Sequence, residues 1–403
     1  MADGPLQNIR IIELGHVVAG PLAATLLADF GADVIKIEAP GAGDMVRELG
    51  PKAKQDGVGV WWKTLGRNKR LLALNWKNPE GQAVLRKLVE NADALVENFR
   101  PGVLERAGIG PDVLREWNPD LMVLRISGYG QDGPMVKTPA FGRAAEAMSG
   151  LPHLTGHADG PPMHPGFPAA DSTTGLMGAL GLMMALFAKK DGIASGQVID
   201  LAVFEPIMRL IDYHVPVATG AHLSPKRNGF RQPLDFAPGG MFCTKDGVWV
   251  TISAGSAETA QRLLRAAGGA DWAGQKRFAT MAGITGNMDE ISQKMDGYIS
   301  AHDFEDVAAE FKRCDAVAAP VLSVEDILEH PQIAHRGAIA AVKGEETRVV
   351  APVPHMEKTP GSVRWLGRSE IGADGAEILT QLGYTPDEIT ALAAQKIIAL
   401  PTG

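Results

Sequence analysis

The chain opens by alternating short apolar runs with helical stretches, and this alternation restricts the folds available to it. The run "IRIIEL" (9–14) has the β-forming composition of a buried strand. The stretch "GPLAATLLADFGA" (20–32) predicts a helix with Pro21 in its first turn and Gly31 at its end. The run "DVIKIE" (33–38) predicts the next strand. Strand, helix and strand in about thirty residues form a βαβ unit, whose two strands lie parallel.

The same alternation continues through the first half of the chain. Further strands are predicted at 71–75, 94–99, 121–128 and 196–203, and further helices at 78–92 and 173–190. We therefore expect a doubly wound α/β domain. Such domains bind ligands at the carboxyl ends of their strands, where this chain places "LGHVVAG", "VENFRPG" and "ISGYGQDGP".

The second half of the chain has a different pattern. Residues 220–240 are rich in Gly and Pro and predict a linker. Residues 241–253 predict a β-hairpin that turns at Asp246 and Gly247, and helices follow. We expect residues 241–324 to form a smaller α+β domain.

Composition excludes several classes of function. The net charge is −8 and there is no basic tail, so we expect no nucleic-acid partner. The longest apolar run, 175–188, is too short to span a bilayer, and we expect no membrane contact. Two cysteines, Cys243 and Cys314, and the absence of a signal-peptide pattern fit the cytoplasm. The histidines show no metal-binding spacing, so no metal is expected.

Common catalytic motifs are also missing. The first βα turn, "ELGHVVAGPL", is neither a G-x-G-x-x-G fingerprint nor a P-loop. The chain has no G-x-S-x-G elbow of the serine hydrolases.

Several stretches, in this order along nearly the whole chain, resemble the family III CoA-transferases, which include the formyl-CoA:oxalate and carnitine CoA-transferases. The matching stretches are "IIELGHVVAGPLAATLLADFGADVIKIEAPGAGDMVR", "NWKNPEGQAVLRKLVENADALVENFRPGVLERAGI", "ISGYGQDGP", "AADSTTG" and "GQVIDLAV". The resemblance implies a homodimer in which two ring-shaped chains interlock. It also implies a large Rossmann-like, CoA-binding domain, residues 1–219 completed by residues 325–403.

Asp171, in "AADSTTG", is the catalytic carboxylate that the resemblance implies. It would attack an acyl-CoA thioester, and the reaction would pass through an aspartyl anhydride and an aspartyl-CoA thioester. CoA would then move to a carboxylic acid acceptor, with CoA and acyl-CoA as substrates and no tightly bound cofactor. From the residues alone, the favoured role of Asp171 is to cap the helix predicted at 173–190, and only the resemblance turns it into the nucleophile.

The resemblance also implies the residues that contact CoA and the acyl group. The expected CoA contacts are His16, Val18, Ala19, Leu74, Lys77, Asn98, Phe99, Arg106 and Tyr129. Lys77 and Arg106 suit phosphate groups. Gly239 and Gly240 correspond to a glycine loop over the active site, where backbone N–H groups stabilise an oxyanion.

Three departures from formyl-CoA:oxalate transferase bear on the substrate. This chain has Ala39, Val18 and Ser127 where that enzyme has arginine, glutamine and lysine, which makes oxalate and formate doubtful substrates. Arg143 and Arg231 would suit the second carboxylate of a dicarboxylic acid such as succinate.

Two alternatives remain open. The α-methylacyl-CoA racemases of the same fold use this aspartate with a histidine, but Phe141 stands at the histidine's place, and two-face proton transfer then lacks a partner. The chain would otherwise be a CoA-binding protein without turnover.

Overall fold

A computed structural model describes residues 4–229, 231 and 237–401 and groups them into two compact units. The large unit comprises the described residues of Met1–Ser149, Gly166–Leu210 and Pro331–Gly403, and the small unit comprises those of Gly150–Pro165 and Ile211–His330. Of the predicted linker, residues 230 and 232–236 lie outside the described residues. The predicted domain boundaries stay a prediction.

The large unit holds most of the predicted elements. Its strands are β1 (Arg10–Glu13), β2 (Asp33–Glu38), β3 (Arg70–Leu74), β4 (Ala94–Glu97), β5 (Met122–Ser127), β6 (Val198–Ala202), β10 (Ile339–Ala340), β11 (Val349–Val350) and β12 (Ile398–Ala399). Its helices are α1 (Ala19–Asp29), α2 (Val60–Leu65), α3 (Pro79–Glu90), α4 (Val103–Arg106), α5 (Pro111–Trp117), α6 (Gly142–Ser149), α8 (Ala169–Lys190), α9 (Phe204–Leu210), α16 (Pro331–His335), α17 (Gly375–Gln381) and α18 (Pro386–Ala394).

The small unit contains a short sheet and the remaining helices. Its strands are β7 (Gly239–Cys243), β8 (Trp249–Ser253) and β9 (Ala318–Pro320). Its helices are α7 (Leu151–Leu154), α10 (His214–Gly220), α11 (Ala257–Ala273), α12 (Met281–Thr285), α13 (Met288–Ile299), α14 (Phe304–Arg313) and α15 (Val324–Glu329).

The main sheet of the large unit has the order β12-β3-β2-β1-β4-β5-β6. Strands β1 to β6 are parallel, as the alternation predicted, and their order is that of doubly wound α/β folds. The added edge strand, β12, runs antiparallel and pairs Ile398 with Leu74. The carboxyl ends of the six parallel strands therefore meet along one edge, where the sequence placed its candidate loops.

Helices cover both faces of this sheet. On one face, Val84 and Leu88 of α3 pack against Ile12, Leu72 and Leu95 in a fully buried core. On the other face, α8 lies so close to the sheet that the position of a Cβ at Gly178 would be 3.1 Å from Leu124 Cδ2. Burial on both faces explains why the strands are continuous apolar runs.

Helix α8 begins at Ala169, four residues before its predicted start, so Asp171 lies inside its first turn. By length and composition alone this 22-residue helix could cross a membrane, and 44% of its most apolar stretch is buried. Its exposed side chains include Leu176, Leu180, Met184 and Phe187. Core helices of soluble proteins share this composition, so the expected lack of membrane contact stays a prediction.

In the small unit, β7 and β8 form the predicted antiparallel hairpin, and Gly247 at its turn has a φ of 85°. Gly239 and Gly240 differ from the expected loop because they are the first two residues of β7, paired with Ser253 and Ile252. Their φ values of 159° and 146° belong to a conformation that glycine adopts readily and other residues avoid.

Two glycines of α8 provide a matched test of the α1–α8 contact. A Cβ at Gly175 would lie 2.8 Å from Leu22 Cγ on α1, whereas a Cβ at Gly181 would meet only Ile199 Cγ2, at 3.6 Å. Overpacking should make Gly175→Ala lower the free energy of unfolding by about 1–3 kcal/mol. Gly181→Ala should be neutral or raise it by up to about 1 kcal/mol, because alanine favours a helix. Urea unfolding of both variants measures the difference, and equal effects would contradict this packing.

Candidate functional site

Two neighbouring cavities lie at the carboxyl ends of the parallel strands and share Phe99. The first has a volume of about 410 Å³ and is lined by His16, Leu74 and Lys77, among others. The second has a volume of about 560 Å³ and is lined by Asn98, Arg106 and Tyr129, among others. Seven of the nine residues expected to contact CoA therefore lie at one edge of the sheet. The other two, Val18 and Ala19, line neither cavity and are buried at the start of α1.

The loop after β1 is held from two sides. The His16 backbone N–H donates to Asn98 Oδ1 at 2.7 Å, and Asn98 Nδ2 donates back to the His16 carbonyl at 2.8 Å. Asp44 Oδ1 accepts the N–H of Val17 at 3.2 Å, which holds Val17 at a φ of 65°, rare for a β-branched residue. The loop that begins the first cavity is therefore fixed in place.

The His16 side chain forms part of an aromatic wall. Its ring lies 5.2 Å from the Phe99 ring, and Phe99 lies 5.5 Å from the Trp76 ring. Burial and the nearby charge of Lys36 lower the pKa of His16 and favour its neutral form. His16 Nδ1 is buried and has no hydrogen-bond partner among the described residues, so it is a polar atom left for a ligand.

A buried network of ion pairs packs against this loop. The sequence analysis did not predict it. Lys36 Nζ lies 2.9 Å from Glu13 and 2.7 Å from Asp44, and Lys69 Nζ lies 2.6 Å from Glu13. Burial alone would lower the pKa of Lys36, but Glu13 and Asp44 outweigh it and raise the pKa. Burial dominates at Lys69, whose pKa falls to about 8. The charged residues inside otherwise apolar strands were the signal for this network.

The carboxylate of Asp171 is largely buried in the first turn of α8. It faces Gly142 of α6 so closely that a Cβ there would lie 2.5 Å from Asp171 Oδ2. The Asp171 carboxylate accepts no hydrogen bond within the described part of the chain, and the helix has no side-chain cap at Pro168. The capping role that the sequence left open for Asp171 is therefore wrong, because the helix starts too early for it.

Burial raises the pKa of Asp171 to about 6, and the charge of Glu146 adds to this rise while Arg143 opposes it. Glu146 and Arg143 both lie on α6 and pair at 2.8 Å. The sequence singled out Arg143 but missed Gly142 and Glu146, since only the approach of α6 to α8 brings them to Asp171. Phe141, at the place of the racemase histidine, is 82% exposed.

The remaining predicted site residues lie elsewhere or have partners. Arg231 belongs to the small unit, like Gly239 and Gly240, and pairs with Asp289 at 2.6 Å. Ala39 lines the first cavity and Ser127 the second. No cluster of three or more possible metal ligands occurs among the described residues. The functional roles assigned from the sequence stay predictions.

Comparison with known proteins identifies the family. The model of the family described as CoA-transferase family III matches residues 6–374. The chain belongs to CoA-transferase family III. This confirms the resemblance inferred from the sequence and makes the chain a CoA-transferase.

Individual relatives cover almost the whole of this CoA-transferase. It is 34% identical over 398 residues to the succinyl-CoA–D-citramalate CoA-transferase of Chloroflexus aurantiacus, covering 98% of each chain. It is 36% identical over 404 residues to the succinyl-CoA–L-malate CoA-transferase beta subunit of that organism, again covering 98% of each. A crystal structure of a CAIB/BAIF family protein from Brucella suis superimposes with a TM-score of 0.83 at 27% identity, covering 94% of this chain and 100% of that one.

The raised pKa of Asp171 predicts an effect on stability. Since the folded-state pKa of about 6 exceeds the ordinary value of 3.8, stability is greatest below pH 3.8 and is lost as the pH rises through 6. Asp171→Asn should therefore raise the free energy of unfolding at pH 7 by about 1–3 kcal/mol and remove this pH dependence. Asp191→Asn, at the exposed end of the same helix, is the control. Thermal unfolding between pH 4 and 8 tests it, and an unchanged or lower stability of Asp171→Asn would contradict the burial of an ionised Asp171.

Proposed function

We propose that this CoA-transferase moves CoA from an acyl-CoA donor such as succinyl-CoA to a dicarboxylic acid, with Asp171 as the nucleophile. The observation that carries the proposal is a largely buried carboxylate that accepts no hydrogen bond from the described residues, close to the second cavity at the sheet edge. Ala140 lines the second cavity, and Gly142, two residues later, touches Asp171. The names of the two Chloroflexus relatives pair succinyl-CoA with the dicarboxylic acids citramalate and malate, which supports the substrate class.

The first half of the reaction loads CoA onto the protein. An Asp171 oxygen attacks the thioester carbonyl, the C–S bond breaks, and CoA leaves as a thiolate while a mixed anhydride forms. The thiolate then attacks the aspartyl carbonyl carbon. The anhydride C–O bond breaks, the donor acid leaves with the former Asp171 oxygen, and an aspartyl-CoA thioester remains.

The second half runs the same steps in reverse with the acceptor. The acceptor carboxylate attacks the aspartyl thioester, CoA leaves as a thiolate, and a second anhydride forms. The thiolate attacks the acceptor's acyl carbon, which releases the new acyl-CoA and restores the Asp171 carboxylate. No net proton moves, so the site needs no general base, and a pKa of about 6 leaves Asp171 mostly ionised at pH 7.

The two cavities suit the parts of CoA. The aromatic wall of Trp76, Phe99 and His16 offers ring faces to an adenine. Lys77 is among the basic residues that line the first cavity and Arg106 among those that line the second, and both suit the phosphates. The strand order supports a Rossmann-like site, and Gly239 and Gly240 remain our candidates for the oxyanion donors.

We also propose a homodimer of interlocked, ring-shaped chains in the cytoplasm. The exposed apolar side chains of α8, including Leu176, Met184 and Phe187, support a protein partner because monomers rarely expose such a stripe. The charge of −8 supports the absence of nucleic acid, and the mixed polar and apolar surface of the described residues supports the absence of a membrane.

Replacing Asp171 separates a transferase from a CoA-binding protein. Asp171→Asn should reduce CoA transfer by at least about 10³-fold, because an amide is a poor nucleophile, while CoA binding persists. Hydroxylamine with acyl-CoA should convert the wild-type side chain at 171 into a hydroxamate, detected by peptide mass. Asp191→Asn is the control and should keep full activity. Transfer by Asp171→Asn at the wild-type rate would contradict the proposal, and α-proton exchange without transfer would favour the racemase alternative.

Arg143 is our candidate for binding the second carboxylate of the acceptor. Its side chain is half-exposed although it pairs with buried Glu146, whereas Arg231 pairs with Asp289 in the small unit. Arg143→Lys keeps the positive charge but loses the two parallel N–H donors that a guanidinium offers to a carboxylate. KM for malate or succinate should therefore rise about 10-fold, with little change for butyrate. Arg86→Lys is the matched control, because Arg86 also pairs with a glutamate of its own helix, Glu90 at 2.8 Å, and belongs to no candidate site. Steady-state kinetics with succinyl-CoA decide, and equal effects on both classes of acid would contradict this role.

A further inference from the structure

Glu146 joins two helices at the candidate site. Its side chain is fully buried on α6, where a carboxylate needs partners to keep its charge. Its Oε2 accepts a hydrogen bond from Arg143 Nη1 at 2.8 Å, and its Oε1 accepts one from the backbone N–H of Ala170 at 3.3 Å. Arg143 lies on α6 itself, while Ala170 lies in the first turn of α8. Glu146 therefore links α6 to the start of α8.

Within the described residues, no side chain of α8 or of Pro168 accepts the first N–H groups of this helix, although the Ala169 N–H donates to the Phe167 carbonyl at 2.9 Å. The first N–H groups of a helix have no partner within it and need acceptors from elsewhere. Pro168 precedes the helix and supplies no side-chain cap, and the acid of the first turn, Asp171, accepts no hydrogen bond among the described residues. Glu146 provides this acceptor from the neighbouring helix. It also places a negative charge where the helix dipole favours one.

We propose that Glu146 is a positioning residue that caps α8 in place of Asp171 and so leaves the Asp171 carboxylate free to attack an acyl carbon. This inference rests on the nucleophilic role proposed for Asp171. Gly142, one turn earlier on α6, contributes by leaving the space that the carboxylate occupies. Helix α6 thus provides both the cap of α8 and the space that the Asp171 carboxylate occupies.

The charge of Glu146 has a second consequence for Asp171. The elements packed against α8 are α1, α6, α9, β5 and β6. Besides Glu146 and Arg143, the charged residues on these elements are Asp29, Glu205, Arg209, Arg125 and Asp200. Glu146 raises the pKa of Asp171 and Arg143 lowers it. A carboxylate with a raised pKa is a more basic and stronger nucleophile, so Glu146 should affect both the rate and its pH dependence.

Glu146→Gln tests the proposal because glutamine keeps the shape and an oxygen for the Ala170 N–H but loses the charge. In the wild type, kcat/KM should fall below pH 6 as Asp171 is protonated. In Glu146→Gln this acidic limb should move down by about one pH unit, and the plateau kcat should fall about 3–10-fold. Glu205→Gln is the matched control, because Glu205 also accepts a backbone N–H, from Ala202 at 3.0 Å, near the start of α9. It should leave the limb in place.

The outcomes separate this inference from the proposed function. If Glu146→Gln is active and the acidic limb of its pH profile coincides with that of the wild type, while Asp171→Asn is inactive, only the role of Glu146 is overturned. Full transfer by Asp171→Asn overturns the proposed function itself. If Glu146→Gln does not fold, Glu146→Asp keeps the charge but shortens the reach to Ala170, and kcat should fall with the limb in place. Wild-type kcat in Glu146→Asp would then overturn the inference.

Discussion

The candidate site is organised around a largely buried carboxylate that receives no hydrogen bond from any described residue. Such a group loses hydration without gaining a donor, and burial alone disfavours its charge. Asp171 holds this position because α6 crosses the start of α8 with Gly142 against the carboxylate and Glu146 on the helix end. The charge of Arg143 offsets part of the unfavourable free energy. The surrounding packing therefore keeps this carboxylate without a donor among the described residues, as its proposed role as a nucleophile requires.

Buried polar side chains also fix the backbone of the loop after β1. Lys36 and Asp44 lie under the loop and hold Val17 in a strained conformation, while Asn98 bonds both backbone groups of His16. His16 Nδ1 is left without a partner within the described residues, on a ring that lies 5.2 Å from the Phe99 ring. Buried ion pairs of this kind add little net stability, and their benefit here is a fixed loop geometry.

The sequence predicted the sheet well because its signals are local. Apolar runs with turn residues between them located β1 to β6 to within about two residues, and their alternation with helices required parallel pairing. The edge strand β12 was missed because two residues carry no periodicity and its partner, β3, lies more than three hundred residues away along the chain. The start of α8 was placed late because Pro168, Ala169 and Ala170 include no capping side chain.

The sequence could nominate candidate site residues only where the residue type itself indicates a chemical role. A carboxylate such as Asp171 and cations such as Lys77 and Arg106 are the residue types that CoA transfer and phosphate binding require. The two cavities contain all the residues expected to contact CoA except Val18 and Ala19. Gly142 and Glu146 carry no such signal, since a glycine and a glutamate on an amphipathic helix usually face solvent. Their roles arise from tertiary contact between α6 and α8, which no local pattern encodes.

If Asp171 is the nucleophile, one of its oxygen atoms is exchanged during each transfer. The most direct measurement supplies an acceptor acid labelled with ¹⁸O in its carboxylates and follows the mass of the peptide that contains residue 171. The peptide should gain one ¹⁸O after transfer, because the acceptor's oxygen bridges the second anhydride and stays on the aspartate. Rapid formation of the new acyl-CoA without label in that peptide would contradict it.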